Sequence, residues 1–367
     1  MRGHHGPWAM LRAAVLVAAG AVMTPANAAT YVYVGNAESN DIDVLGFDPK
    51  TGDLTPIEKV AIPNVTKLGP TSPLAVSPDK RFLYMAIRSV PYVAAAFAID
   101  AASGKLKHLS NGSLNEAMAY IAPDRAGGFL LGASYPGNRF TVNPFAPDGT
   151  VYPPQQVLAG IPNAHAILPD PANRFVLGTS LGSDRLFVYR FDAKTGDLQP
   201  NDPPFVAVKE KAGPRHFRFH PNGKLVFLLC ELDATVYVFD YDADKGTLAQ
   251  KQVVEALPAG YTGKVWAADL HLTPDGKFLY ASERGTSTLA AFKVDADGKL
   301  MLIDHYPTEQ QPRGFNIDPS GRYLLAVGQL SHAMTVYEID GASGRLTKLK
   351  QYPMGKNPNW VEFVELP

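Results

Sequence analysis

Histidine, glutamate and several arginines recur at matching places in a repetitive sequence, and together these types suit acyl chemistry on an anionic substrate. The candidates are Arg88, His165, Arg215, His216, Glu231, Arg284 and Arg313. Guanidinium forks bind carboxylate or phosphate bidentately and can stabilise an oxyanion. A carboxylate or a neutral imidazole can take a proton from attacking water. His165, Arg215-His216 and Arg313 each stand at the start of an apolar strand, in NAHAILPD, GPRHFRFHPNGK and QPRGFNIDPSG. Arg88, Glu231, Arg284 and Gln329 each end one, ten residues after the turn prolines Pro78, Pro221, Pro274 and Pro319. Equal offset on equivalent strands predicts equal height, so these four are expected to form a ring of side chains facing one mouth. Tyr135, Glu283 and the stretch Trp266 to Asp269 fall at the same level. The serines of GASYPG and GTSLGS lack the helix of a nucleophile elbow and read as loop residues, so direct attack by water is expected.

The elements that must position these residues are repeats. A hairpin is written seven times, as IDVLGFDPKTGDL, AAFAIDAASGKL, FTVNPFAPDGTV, LFVYRFDAKTGDL, VYVFDYDADKGTL, LAAFKVDADGKL and MTVYEIDGASGRL. The turn glycines, from Gly52 to Gly344, are spaced by 52, 45, 47, 50, 52 and 46 residues. A period in that range, filled with short strands, indicates a β-propeller blade. A second motif, a strand ending in a Pro-Asp-Gly-like turn followed by an apolar strand, occurs six times between the hairpins. Its missing seventh copy is divided between TYVYVGNA near the start and NPNWVEFVELP at the end. The fold expected is therefore all-β, a seven-bladed propeller with four-stranded blades. Pairing of the N- and C-terminal strands in one blade closes the ring, leaving no unpaired edge there. The start of each first strand and the end of each second strand then lie on one rim, where a site can draw on several blades.

Residues 1–28 fall outside this pattern. Arg2, two histidines and Arg12 flank the apolar run LRAAVLVAAGAVM, and Ala26-Asn27-Ala28 offers small residues for cleavage. That is the pattern of a secretory signal, leaving a single domain over 29–367. A periplasmic or secreted location is expected, with no membrane attachment after cleavage, and a cytoplasmic one if the segment is not a signal. Cys230, the one cysteine, lies in the apolar run VFLLC and reads as a buried thiol. The net charge is −1, with 34 basic and 35 acidic residues and no basic stripe, so nucleic acid is not an expected partner. No metal-ligand spacing or phosphate-cradling glycine loop is present; DAKTGD and DADKGT lack the ligand set of a calcium loop and read as turns. No metal or cofactor is expected, and a ring that closes on itself is expected to be a monomer.

The stretches AGPRHFRFHPNGK, CELDATVYVF, WAADLHLTPDGKFLYASER and TEQQPRGFNIDPSGRYLLAVGQLSH closely resemble the seven-bladed 6-phosphogluconolactonase family, which includes fungal carboxymuconate-type lactonising enzymes. The likeness covers about residues 30–365. It implies hydrolysis of a six-carbon aldonolactone to the sugar acid without a metal. By motif it places the family's proposed site on His165, Arg215, Glu231 and Arg313. On that basis Glu231 or His165 is expected to act as base and Arg215 and Arg313 to hold the carbonyl. Arg88, His216 and Arg284 are weaker candidates for phosphate or hydroxyl contacts. An export signal fits an unphosphorylated lactone better than a cytoplasmic sugar phosphate. A reversible cycloisomerase of unsaturated dicarboxylic acids and a non-catalytic binding propeller are the other readings open to this sequence.

Overall fold

The computed structural model describes residues 1–4 and 28–367, and its strands form seven four-stranded antiparallel sheets. Most of the expected export signal lies outside the described residues. The inner strands Leu74–Val76, Met118–Pro123, Ala164–Pro169, Pro214–Phe219, Ala267–Leu272, Pro312–Ile317 and Pro358–Leu366 touch one another in sequence and line a central channel. The terminal strand Pro358–Leu366 pairs with Ala29–Asn36 along its length, from Ala29 opposite Leu366 to Asn36 opposite Pro358. The divided blade is thus completed as the sequence predicts.

Second strands such as Leu225–Cys230 and Tyr323–Gly328 are buried at every residue, because neighbouring blades cover both faces of the sheet. That is why they read as continuous apolar runs rather than alternating ones. Outer strands such as Leu346–Pro353 are largely exposed and carry Lys348 and Lys350, charges that discourage edge-to-edge pairing. One hairpin departs from the expected form. In FTVNPFAPDGTV the return strand is reduced to a single bridge between Phe145 and Val151, and the outer strand starts only at Gln156. Pro153 and Pro154 intervene, and without N–H groups they cannot extend a ladder.

The hairpin glycines also do something the sequence does not announce. Gly104 has φ +67°, and a Cβ there would lie 2.3 Å from the ring of Tyr31 in the preceding blade. Gly52 stands in the same way against Tyr323 across the closing blade, and Gly149, Gly196, Gly246 and Gly344 against Phe82, Phe129, Phe175 and Phe278. Each ring sits at the start of a second strand, directly after a Pro-Asp-Gly-like turn or, for Tyr31, near the N-terminal strand's start. Blades therefore lock by setting an aromatic ring on a turn backbone that lacks a side chain.

This makes a comparison of two substitutions informative. Gly104→Ala is expected to cost about 2–5 kcal/mol, combining left-handed strain with overpacking. Gly127→Ala, at φ +72° but with its nearest neighbour 3.6 Å away, is expected to cost only about 1–2 kcal/mol. Urea unfolding of both variants measures the difference, and equal losses would refute the ring-on-glycine lock.

Candidate active site

At one mouth of the channel the inner strands do not run regularly. Ladder register shifts between Pro214 and His216, between Pro312 and Gly314, between Ala164 and Ile167, and between Ala267 and Leu270. The residues freed from pairing at those bulges are Arg215, Arg313, His165 and Asp269, with alanine neighbours. Bulges bend a strand and re-aim its side chains, which is why they recur beside functional sites. Hydroxyls of the second strands replace part of the lost ladder. Thr179 Oγ1 accepts from the Ala166 amide at 2.9 Å, and Ser282 Oγ from the Asp269 amide at 3.0 Å.

Glu231 organises the charges above the bulges. Arg215 Nε donates to its Oε2 at 2.7 Å, Arg284 Nη2 lies 3.1 Å from the same oxygen, and Trp266 Nε1 donates to Oε1 at 3.1 Å. Burial pushes the Glu231 carboxyl up, but Arg215, Arg284 and Arg313 outweigh it and hold the group below the ordinary glutamate value. Arg215 is fully buried and also donates through Nη1 to the Ala268 carbonyl. Arg284 donates to the carbonyls of Trp266 and Ala267 and lies 3.9 Å from the Trp266 ring centroid, a cation–π contact. Arg88 Nη1 donates to Thr71 Oγ1 at 2.5 Å. Burial and neighbouring guanidiniums lower the pKa of both Arg88 and Arg313. Arg215 Nη2, Arg88 Nε and Arg313 Nε are buried donors with no acceptor. Arg215 and Arg284 thus share the Glu231 carboxylate, Arg313 acts on it through its charge, and Arg88 stands beside Arg215; together they keep three donors free for an anion or a carbonyl oxygen.

Deeper in the channel His165 and His216 pack ring to ring, 5.1 Å between centroids. Burial, with Arg215 next in weight for both, holds the two imidazoles well below the ordinary histidine pKa, so they are neutral at pH 7. His165 also meets Tyr135 edge-on at 6.0 Å. All seven sequence candidates therefore belong to one assembly. Two other expected rim residues do not. Gln329 is turned to Gln311 and Asn357, and Glu283 accepts the backbone amides of Trp266 and Thr286. Ser134 and Ser180 are not loop residues as expected but close the buried strands Phe129–Ser134 and Phe175–Ser180, where their hydroxyls donate to the Ala117 and Pro162 carbonyls; Ser180 is followed only by the single 3-10 turn Leu181–Ser183, so no nucleophile elbow forms. Trp266 and Asp269 were visible only as a charged, aromatic stretch; their roles depend on a bulge that no spacing signals.

The family described as "Lactonase, 7-bladed beta-propeller" matches residues 31–363. The chain is 39% identical to the 6-phosphogluconolactonase of Serratia proteamaculans over 334 residues, covering 91% of this chain and 98% of that protein. It is likewise 39% identical to the 6-phosphogluconolactonase of Pectobacterium carotovorum over 336 residues, again 91% and 98% of the two chains. Among solved structures it is similar to a periplasmic gluconolactonase of Pseudomonas aeruginosa, with a TM-score of 0.85 and 29% identity, covering 92% of this chain and 100% of that one.

Removing the shared carboxylate charge tests the electrostatics directly. Glu231→Gln is expected to destabilise the fold by about 3 kcal/mol, because it leaves buried guanidiniums without a counter-charge. Urea unfolding should show that loss, and adding Arg284→Gln should return part of it; a neutral effect of Glu231→Gln would refute the shared-carboxylate account.

Proposed function

Since the chain belongs to the seven-bladed β-propeller lactonase family, we propose that its arginine-lined mouth hydrolyses the ring ester of a six-carbon aldono-1,5-lactone to the free sugar acid. His165, Arg215, Glu231 and Arg313 stand at its centre. The observation that carries this reading is the group of buried, unpartnered donors on Arg88, Arg215 and Arg313. When water adds to a lactone carbonyl, negative charge collects on the carbonyl oxygen. Donors already fixed at that place stabilise it without reorganising. Arg215 Nη2 and Arg313 Nε are the donors for that oxygen. Glu231 is poorly suited to be the base, since both its oxygens are engaged and three arginines depress its pKa. It holds the guanidiniums in place, and a neutral imidazole of the His165–His216 pair takes the proton from water. Arg88, whose Nε is free, is placed to meet a phosphate or hydroxyl of the sugar, whereas Arg284 is spent on Glu231 and two carbonyls.

The excess of guanidinium over carboxylate favours a lactone with its own negative charge. The 6-phosphate of glucono-1,5-lactone supplies that charge, in keeping with the names of the curated relatives, whereas an export signal and the periplasmic gluconolactonase of Pseudomonas aeruginosa accord with the unphosphorylated lactone; the charge of the mouth favours the first of these two readings. Proton release measured on both lactones, above their spontaneous hydrolysis, is expected to be faster with the phosphate. Arg313→Gln should lower kcat/KM by about 10²–10³-fold, the usual cost of one oxyanion donor. A native protein that accelerates neither lactone would overturn the reading.

The mature protein acts, in this reading, as a periplasmic monomer. The first strand begins at Ala29, immediately after the expected cleavage position, and one similar solved protein is described as periplasmic. N-terminal sequencing of protein recovered from the periplasm is expected to begin at Ala29. Recovery only from the cytoplasm, with the leading residues retained, would refute export.

A further inference from the structure

We infer that Asp269 and His216 form an oriented dyad in which His216 Nε2 accepts the proton of the attacking water and Asp269 is the positioning residue. This rests on the lactonase reading above and goes beyond it, because it names the base and assigns a residue that no motif singled out.

Asp269 is 5% exposed and sits in the bulge between Ala267 and Leu270. Its Oδ1 lies 2.8 Å from His216 Nδ1 and accepts the Leu270 amide at 2.9 Å; its Oδ2 lies 3.2 Å from His271 Nε2. A carboxylate oxygen can only accept, so His216 Nδ1 carries the ring proton and Nε2 carries the lone pair. That Nε2 is buried and has no partner. Tyr120 lies edge-on to the ring at 5.1 Å, Trp360 at 6.0 Å and His165 at 5.1 Å, so the imidazole is wedged in one orientation. A free basic atom and a ring oriented by a carboxylate therefore occur together at His216. His165 also has a bare Nδ1, but among the described residues no carboxylate orients it. The neighbour in sequence, Arg215, carries one of the unpartnered donors, so base and oxyanion donor are consecutive residues of one bulged strand.

The step balances with water alone. The water oxygen bonds to the lactone carbonyl carbon while one of its protons passes to His216 Nε2. The carbonyl π pair moves onto its oxygen, against Arg215 Nη2 and Arg313 Nε. Collapse of that oxyanion breaks the bond to the ring oxygen, which takes the proton back from His216. The new acid then loses its remaining proton to solvent. Asp269 stabilises the imidazolium while it exists. Although burial alone would raise it, His271 and His216 hold the Asp269 carboxyl well below the usual range, so it remains an anion throughout.

The test compares His216→Gln, Asp269→Asn and His165→Gln with native protein on glucono-1,5-lactone and its 6-phosphate. Losses of about 10²–10⁴-fold in kcat are expected for the first two, with KM changed a few-fold at most. His165→Gln should act more on KM than on kcat. The charged and titratable groups facing His216 are Asp269, Arg215, Arg218, His165 and Tyr120. Burial and Arg215 depress its pKa, so native kcat should fall on the acid side, below the ordinary histidine value of 6.5, and that limb should vanish in His216→Gln. Nitrogen-15 NMR of ring-labelled histidine in the native protein decides the tautomer even if Asp269→Asn does not fold: Nδ1 protonated and Nε2 bare is expected. A protonated Nε2, or near-native kcat in His216→Gln, overturns the dyad alone. A native protein without lactone turnover overturns the lactonase reading and the dyad with it.

Discussion

Four buried guanidiniums gathered at one mouth, with a single carboxylate, Glu231, paired to two of them, set the constraint around which this mouth is built. Buried cations at such close range repel, and each loses its hydration, so they persist only where the fold supplies oriented acceptors. Glu231 provides one, and the carbonyls of Trp266, Ala267 and Ala268 provide others. The indole of Trp266 adds a face for Arg284 and a donor for Glu231. What remains is a standing demand for negative charge, fixed before any substrate arrives. In the proposed reaction a tetrahedral oxyanion would meet that demand better than a neutral ester carbonyl, which is the difference in binding that catalysis requires.

A rigid ring is needed to hold such an arrangement. Six blades set the ring that opens their second strand on the hairpin glycine of the next, as Tyr31 does on Gly104 and Tyr323 on Gly52, and in the seventh place Leu225 stands on Gly298. Tyrosine hydroxyls add bonds to the same turns, with Tyr33 donating to the Gly104 carbonyl at 2.7 Å and Tyr323 to the Lys50 carbonyl at 2.9 Å. Crowding of charge at the mouth is thereby opposed by six repeated ring-on-glycine contacts at the hairpin turns.

The repeat made the architecture legible, since glycine spacing and the divided blade fix the number of strands and how the ends meet. Site legibility was of a different kind. A constant offset from the turn proline reports height on the ring, and it brought Glu231 and Arg284 together correctly. Height says nothing about rotation, so Gln329 and Glu283 were included although their side chains serve local backbone and amide partners. The bulges are the other gap. One extra residue in Pro214–Phe219 or Ala267–Leu272 swings Arg215 or Asp269 into the channel; Pro214 opens the first shifted step, but the second, from Ala267 to Leu270, holds no glycine or proline to mark it.

The strand that completes the inner wall, Pro358–Leu366, follows every other strand of the ring in the chain. It brings Asn359, whose Oδ1 accepts the Ser72 amide at 2.9 Å, and Trp360, which packs on Tyr120 and His216. Chains are made from the N-terminus and tend to fold as they emerge, yet here the free edge of Ala29–Asn36 waits for a partner strand about three hundred positions later. A polypeptide released early therefore lacks both its ring closure and the wall behind His216. Synthesis through Pro358–Leu366 is a condition of closing the ring, and a chain that stops short of it presents Ala29–Asn36 as an open blade edge.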